Sequence, residues 1–426
     1  MRRLMWAPPL IWDGGDLRWP AAELMKVDSP LLPLRVAHVI NEPFRPEGAS
    51  GVQQVVYCLA WAQAAGGHAV AVFSRTNGSH FLGNGEAPLA SRTTGPVIAA
   101  TSPRSWIIGR YLERGLVEDV VRWRPDVVHF HSIHIPQNVA LAGYLDRVGL
   151  PYCVTVHGGL FPQALRRGRL KKALFTIAFE RRYLNGARFI HAVSPGEIEA
   201  IRRHGVRRPV VVVPNGVPPE DGVAGSRPGT LAAEHPVLRG RRVFLFLGRL
   251  DPWQKGLDLL IDAFARARLP DAALVLAGPD RDGSRRALAS RAQRAGISSQ
   301  LVLKDAVFGE DRASLLAAAD VFVHPSRWEG LSLSVLTAAA AGKPCLITRE
   351  ADPLGELERM RAAVIVEPSV ASIAAGLQRI AALDGDQLRE MGERARRVAE
   401  AQFAWPSIAA RLVDAYRRSI GSRGAW

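Results

Sequence analysis

The chain has 426 residues, of which 48% are hydrophobic, and its 55 Lys and Arg against 40 Asp and Glu give a formal net charge of +15. This composition excludes a disordered chain, and the length suffices for two domains of ordinary size. No apolar run approaches the roughly 18 residues that a spanning helix needs, and Cys58, Cys153 and Cys345 show no paired spacing, so neither a membrane-spanning chain nor a disulfide framework is expected.

In chain order, residues 1–33 hold Trp6, Trp12, Trp19 and several prolines without periodicity, and form an unassigned N-terminal extension. Their start has two arginines but no apolar run of a secretory signal, so a cytoplasmic location is expected. From Leu34 the pattern turns regular. LRVAHVI reads as a strand, the loop through Gly51 leads into an apolar-periodic helix closed by Gly66 and Gly67, and the next strand starts at His68. This unit opens a parallel α/β sheet. Residues 77–103 are rich in Gly, Ser, Thr and Pro and read as a long loop.

RPDVVHFH reads as a strand carrying His129 and His131, with His134 close behind. No carboxylate or cysteine follows at ligand spacing, and no metal site is expected. PYCVTVHGG is a further strand that delivers His157 into a double-glycine turn. A neutral imidazole there can donate one hydrogen bond and accept another, which suits a sugar hydroxyl. The span 160–209 has 12 Arg or Lys against three acids, and within it residues 166–182 interleave the charges with Leu170, Leu174, Phe175, Ile177 and Phe179. That pattern fits a basic amphipathic helix on an anionic bilayer surface. No aromatic-interleaved basic module of a nucleic-acid binder is present, so no nucleic-acid partner is expected.

PVVVVPNGV closes the first domain, 34–217, and the Pro- and Gly-rich span 218–240 reads as a linker. The second domain, 241–402, opens with FLGRLDPWQKG, which places Arg249 and Lys255 six residues apart across a loop after a strand. Two cations there suit a diphosphate, Arg as a fork and Lys as a point charge. Strands and helices then alternate to DVFVHPSRWEGLSLSVLTAAAAGKP, a buried strand, a turn with Glu329 and Gly330, and a helix from about Ser332. Its free N–H groups make an anion site, while the Glu329 carboxylate suits the hydroxyls of a group attached to the phosphate. Residues 403–426 read as a C-terminal helix.

These motifs resemble those of the retaining GT-B glycosyltransferases of family 4, also called glycosyl transferases group 1, over roughly residues 34–420. Glu329, Gly330, Leu331, Ala338, Ala340, Gly342 and Pro344 follow the family's Glu-x7-Glu signature, and Gly248, Arg249 and Lys255 its G-R-L-x4-K-G; Gly51, His68 and Pro214 to Val217 match further segments. The chain departs at the second Glu, which is Thr337, and at Lys304, where the family has a small residue.

The resemblance implies an α/β GT-B fold, two Rossmann-like domains whose parallel sheets face a central cleft, with the C-terminal helix crossing back to the first domain. It implies transfer of a sugar, with retention, from a nucleotide diphosphate sugar to a lipid-linked or saccharide acceptor, without a cofactor or obligatory metal. Glu329, His157, Arg249 and Lys255 would carry the catalytic roles. Donor binding would use Arg249, Lys255, Glu329, the backbone of Leu331, Ser332 and Leu333, Thr337 at the ribose, Ala306 at the base and Gly51 at the phosphate. With the basic helix it suggests cell-surface polysaccharide or glycolipid assembly, at the cytoplasmic membrane face. Thr337 and Lys304 leave an alternative, a non-catalytic relative that binds a nucleotide or sugar as a structural or regulatory module.

Overall fold

A computed structural model of the chain describes residues 10–12, 32–44, 51–75, 78–82, 111–166, 169–217, 235–280 and 282–421. Most of the N-terminal extension and of the linker span lies outside the described residues. The chain divides into two units, Met1–Asn215 with Trp405–Trp426, and Gly216–Ala404.

The first unit has strands β1 (Leu10–Trp12), β2 (Arg35–Ile40), β3 (Ala69–Ser74), β4 (Gly78–Leu82), β5 (Val127–His131), β6 (Tyr152–Thr155), β7 (Ile190–Ala192) and β8 (Val210–Val212), with β-branched residues concentrated in β2, β3, β5 and β8. Their order across the sheet is β1-β8-β7-β6-β5-β2-β3-β4. The six central strands are parallel, and both edges are antiparallel, β1 on β8 and β4 on β3. Gly78–Leu82 corrects the expectation of a long loop over 77–103. Its Gly and Ser are poor strand formers, but Phe81 packs edge-on against Phe73 and beside Trp123, at 6.3 and 6.4 Å between ring centres. Burial of that ring outweighs local propensity.

The two faces of this sheet differ in chemistry. Ala37, Val39, Val128, Phe130, Val154 and Ile190 join an apolar core on one face. The opposite face carries His38, His129, His131, Thr155 and His191, because β2, β5, β6 and β7 pair His38 with His129, His131 with Thr155 and Thr155 with His191. No bulge separates His129 from His131, so alternate residues share a side. Helices Gly51–Ala65 and Trp405–Gly421 pack on each other and bring Gln63 and Tyr416 to this polar face.

The second unit is a six-stranded parallel sheet, β11-β10-β9-β12-β13-β14, from β9 (Arg242–Leu247), β10 (Ala272–Ala277), β11 (Leu301–Lys304), β12 (Val321–His324), β13 (Cys345–Thr348) and β14 (Ala363–Val366). Both faces are covered, so the strands read as continuous apolar runs. Leu245, Val275, Phe322 and Ile347 pack one way against Val335, Leu336, Ala395 and Val398. Phe244, Leu274, Val323 and Leu346 pack the other way against Leu260, Phe264, Ile373 and Leu377. The C-terminal ends of β9 and β10 come so close that a Cβ on Gly278 would lie 1.8 Å from the Gly248 carbonyl oxygen. In such a sheet ligands are bound outside those strand ends.

Candidate active site

In the second unit, the loop after β9 and the turn after β12 converge. Asp251 accepts the backbone N–H groups of Trp253 and Gln254 at 3.1 and 2.9 Å, an Asx turn that shapes the first loop. Gly256 then turns into the left-handed region at φ 65°, and a Cβ there would meet the Pro325 carbonyl oxygen at 2.0 Å. Only glycine lets the two loops touch.

Arg327 ties them further. Its guanidinium grips both oxygens of Asp258 at 2.8 Å, its N–H donates to the Gln254 carbonyl at 2.9 Å, and its charge lies 4.3 Å from the centre of the Trp253 ring. The bidentate, stacked geometry uses what Arg offers and Lys does not. Lys255 and Glu329, distant in sequence, are thereby held with Nζ and Oε1 2.5 Å apart.

Glu329 is buried in an asymmetric way. Its Oε1 accepts from Lys255, from Ser326 Oγ at 2.7 Å and from His324 Nε2 at 3.2 Å, and Oε2 takes none of these bonds. Burial pushes this carboxyl up, but the Lys255 ammonium and the His324 ring outweigh it, and the group lies well below the ordinary carboxylate range. One oxygen is anchored and the other is available to a hydroxyl. Arg249 donates from Nη2 to Gln254 Oε1 at 2.7 Å, while its buried Nε finds no partner among the described residues. An anion at that strand end would meet this unmet donor.

Helix Leu333–Ala340 follows, with Ser332 as its N-cap. Its first-turn N–H groups have no intrahelical acceptor. Thr337 donates its hydroxyl to the Leu333 carbonyl at 2.8 Å, inside its own helix. Ala306 lies in the loop after β11, half-buried. His324, Ser326, Gln254 and Arg327 join the arrangement without having been singled out in the sequence. A histidine at a strand end five residues before a signature Glu was the available signal for His324.

Gly51 and His157 belong to the first unit. Gly51 is the first residue of helix Gly51–Ala65. His157 stands just beyond β6 at φ 48°, followed by Gly158 at φ 72°, and is half-buried. A non-glycine residue in that region is uncommon. The turn is fastened by Glu197, a buried carboxylate that accepts the N–H of Gly158 and, at 2.6 Å, that of Val193. Burial pushes the Glu197 carboxyl up to about 7, against those backbone bonds.

Behind His157 lie the buried histidines. His38, His129 and His131 bring ligand atoms within 4.8 Å of one another, as a metal centre would require. Their ring nitrogens are already used, however, in bonds to Gln63, Thr155, Tyr416, His157 and each other. Burial depresses them all: His38 and His191 to about 4, and His129 and His131 well below the ordinary value.

The basic stretch is helical but not one α-helix. Arg169–Phe175 and Arg181–Gly186 flank a π-turn, Thr176–Glu180. The turn buries Glu180 against His134, 2.5 Å away, which accounts for the departure from the uniform helix expected over 166–182. Leu170, Leu174 and Ile177 are left 75, 61 and 65% exposed.

Comparison with known proteins agrees with this architecture. Residues 241–382 match the family model described as Glycosyl transferases group 1, and residues 49–221 match that of Glycosyltransferase Family 4. The chain belongs to these glycosyltransferases, with the GT-B fold. It is 34% identical over 132 residues, 29% of this chain and 31% of the relative, to the MMP alpha-(1->4)-mannosyltransferase of Mycolicibacterium hassiacum. It is 29% identical over 224 residues, 50% of this chain and 55% of the relative, to the phosphatidyl-myo-inositol mannosyltransferase of Mycobacterium tuberculosis. The matches thus span a third to about half of these two relatives' lengths. Among solved structures, sucrose-phosphate synthase of Thermosynechococcus elongatus superposes with a TM-score of 0.69 at 21% identity, covering 91% of this chain and 99% of the other. The UDP-forming alpha,alpha-trehalose-phosphate synthase of Burkholderia vietnamiensis superposes with 0.67 at 15% identity, covering 93 and 99%.

The histidine face gives the first unit a defined acid response. An unfolded chain protonates these rings near 6.5, whereas the native unit refuses protons down to about 4 at His38 and His191. Stability is therefore complete above 6.5 and falls as pH drops, by about 1.4 kcal/mol per pH unit for each ring. Glu197 works in the opposite sense by one proton, since its folded value of about 7 exceeds the ordinary 4.5 of a free glutamate. Histidines outnumber it. Denaturation of the full chain at pH 7, 6 and 5, followed by circular dichroism, will show the midpoint falling at each step, and a flat response over that range contradicts the assignment.

Proposed function

We propose that this chain transfers a sugar, with retention of anomeric configuration, from a nucleotide diphosphate sugar to a lipid-linked or saccharide acceptor. The observation that carries the reading is the Glu329 carboxylate, with Oε1 fixed by Lys255, His324 and Ser326 and Oε2 outside those bonds, beside an Arg249 with an unmet donor. As the bond from the anomeric carbon to the diphosphate breaks, charge grows on the leaving oxygen. Arg249 and Lys255 would stabilise it there, with the N–H groups at Leu331, Ser332 and Leu333. Glu329 Oε2 would accept from a hydroxyl of the sugar, and His157 would meet a second hydroxyl.

Gly51 would allow close approach of backbone to a phosphate, and Ala306 would adjoin the base. Thr337, its proton already committed to Leu333, would offer the ribose only lone pairs, a weaker hold than a carboxylate. The similarity to two mannosyltransferases supports mannose as the sugar to try first, and that to a UDP-forming synthase supports UDP as one nucleotide. No cofactor enters the reading.

Exposed Leu170, Leu174 and Ile177 beside Lys171, Lys172, Arg181 and Arg182 support a peripheral position on an anionic cytoplasmic membrane surface, where a lipid-linked acceptor for cell-surface polysaccharide or glycolipid would lie. No helix among the described residues is long and apolar enough to cross a membrane.

A thermal-shift panel of UDP, GDP, ADP and their sugars tests the donor. One nucleotide is expected to raise the melting temperature of the wild type and not of Lys255→Ala. In the same variant turnover should drop by about 10² to 10³-fold, the usual loss for one electrostatic donor. Stabilisation by no nucleotide at millimolar concentration would remove the transferase reading and leave, of the non-catalytic alternative, only a module that binds a sugar. For the membrane, flotation with vesicles of 30% phosphatidylserine is expected to capture the wild type and to lose it on Leu174→Ser with Ile177→Ser; equal recovery on neutral vesicles would sink this part.

A further inference from the structure

Five histidines of the first unit, with Gln63, Thr155 and Tyr416, form a single run of hydrogen bonds whose direction can be worked out. One end is the Val213 carbonyl, which can only accept, so His191 Nε2, 2.7 Å away, carries the proton. The neutral ring then presents a bare Nδ1, which accepts from the Thr155 hydroxyl at 2.7 Å. The Thr155 oxygen accepts in turn from His129 Nε2 at 2.5 Å, and His129 Nδ1 accepts from the Tyr416 hydroxyl at 2.7 Å.

The Tyr416 oxygen takes the Gln63 amide N–H at 3.4 Å, which points Gln63 Oε1 at His38 Nε2, 2.7 Å away. His38 Nε2 therefore donates. His38 Nδ1 accepts from His131 Nε2 at 3.0 Å, and His131 Nδ1 accepts from His157 Nε2 at 3.1 Å. The reverse polarity would set a bare His191 nitrogen against the Val213 oxygen, two acceptors face to face. Burial keeps the rings neutral, so the direction set at Val213 reaches the far end.

We propose that this run holds His157 in one tautomer, with the proton on Nε2 and a bare lone pair on Nδ1, and that Gln63 and Tyr416 are positioning residues acting through it. His157 would then recognise its ligand only as an acceptor from a hydroxyl. A sugar with hydrogen or a methoxy group at that position would lose the contact. This ligand half rests on the transferase reading above; the tautomer half does not.

The test uses the full chain labelled with 15N-histidine and long-range 15N–1H spectra at pH 7. In the wild type, His157 is expected to show the neutral pattern with its proton on Nε2. Gln63→Leu cuts the run in the middle: His157 should become a mixture of tautomers while His191, anchored by Val213, keeps its proton on Nε2. Tyr416→Phe, which removes one oxygen, should shift His157 in the same direction and serves if Gln63→Leu fails to fold. A general structural disturbance would not spare His191. With a donor in hand, kcat/KM should fall about tenfold in Gln63→Leu, with nucleoside diphosphate affinity unchanged. His157 protonated on Nδ1 in the wild type, or a tautomer unmoved in both variants, overturns the inference. A fixed, Gln63-dependent tautomer in a protein that turns over no nucleotide sugar supports the inference and overturns the transferase reading instead.

Discussion

A carboxylate shut away from water has to be compensated, and in the second unit that constraint falls on Glu329. An unpaired charge there would be expensive, so the group either neutralises or finds a cation. Here Lys255 supplies the cation across 2.5 Å, from a loop that reaches the turn only because Gly256 lacks a Cβ and Arg327 clamps Asp258 and the Gln254 backbone. The elements around the site serve this pairing. The parallel sheet ends its strands on one edge, and the glycines at 248 and 278 let the neighbouring loops meet. An arrangement that pairs a lysine with one carboxylate oxygen, and leaves the second oxygen and an arginine donor uncommitted, would suit the phosphate and hydroxyls of the proposed donor.

The first unit meets the same constraint with neutral groups. A sheet face of histidines would be untenable if charged, and burial holds every ring in its neutral form. Each buried nitrogen is matched to a donor or acceptor, and fully satisfied polar networks rigidify a core. Helix Trp405–Gly421 completes it, since Tyr416 comes from the far end of the chain and packs with its unit through His129 and Phe189. Two buried polar clusters thus follow different rules, one by ion pairing and one by directed hydrogen bonding.

Much of the fold was legible in the sequence because parallel strands buried on both faces, such as VFLFL and ALVLA, are unbroken apolar runs set off by Gly and Pro. Gly78–Leu82 was not, since its pairing rests on Phe81 reaching Phe73 and Trp123, contacts no local window contains. The π-turn at Thr176–Glu180 was hidden likewise, as it answers to His134 more than 40 positions away. In the candidate site, spacing brought out Arg249, Lys255 and Glu329 one by one, but not that Lys255 and Glu329 touch. Arg327 was not singled out at all, because its clamp on Asp258 depends on the two loops being side by side. For the histidines, strand periodicity told which share a face; the polarity of their bonds depends on Val213, an apolar residue whose carbonyl has no sequence signature.

The measurement that bears most directly on the account is a crystal structure of the chain with a nucleoside diphosphate bound. The account predicts the distal phosphate within hydrogen-bond reach of both Lys255 Nζ and Arg249, with Glu329 Oε1 still held by Ser326. Phosphates bound away from both cations, with Lys255 and Glu329 undisturbed, would contradict it.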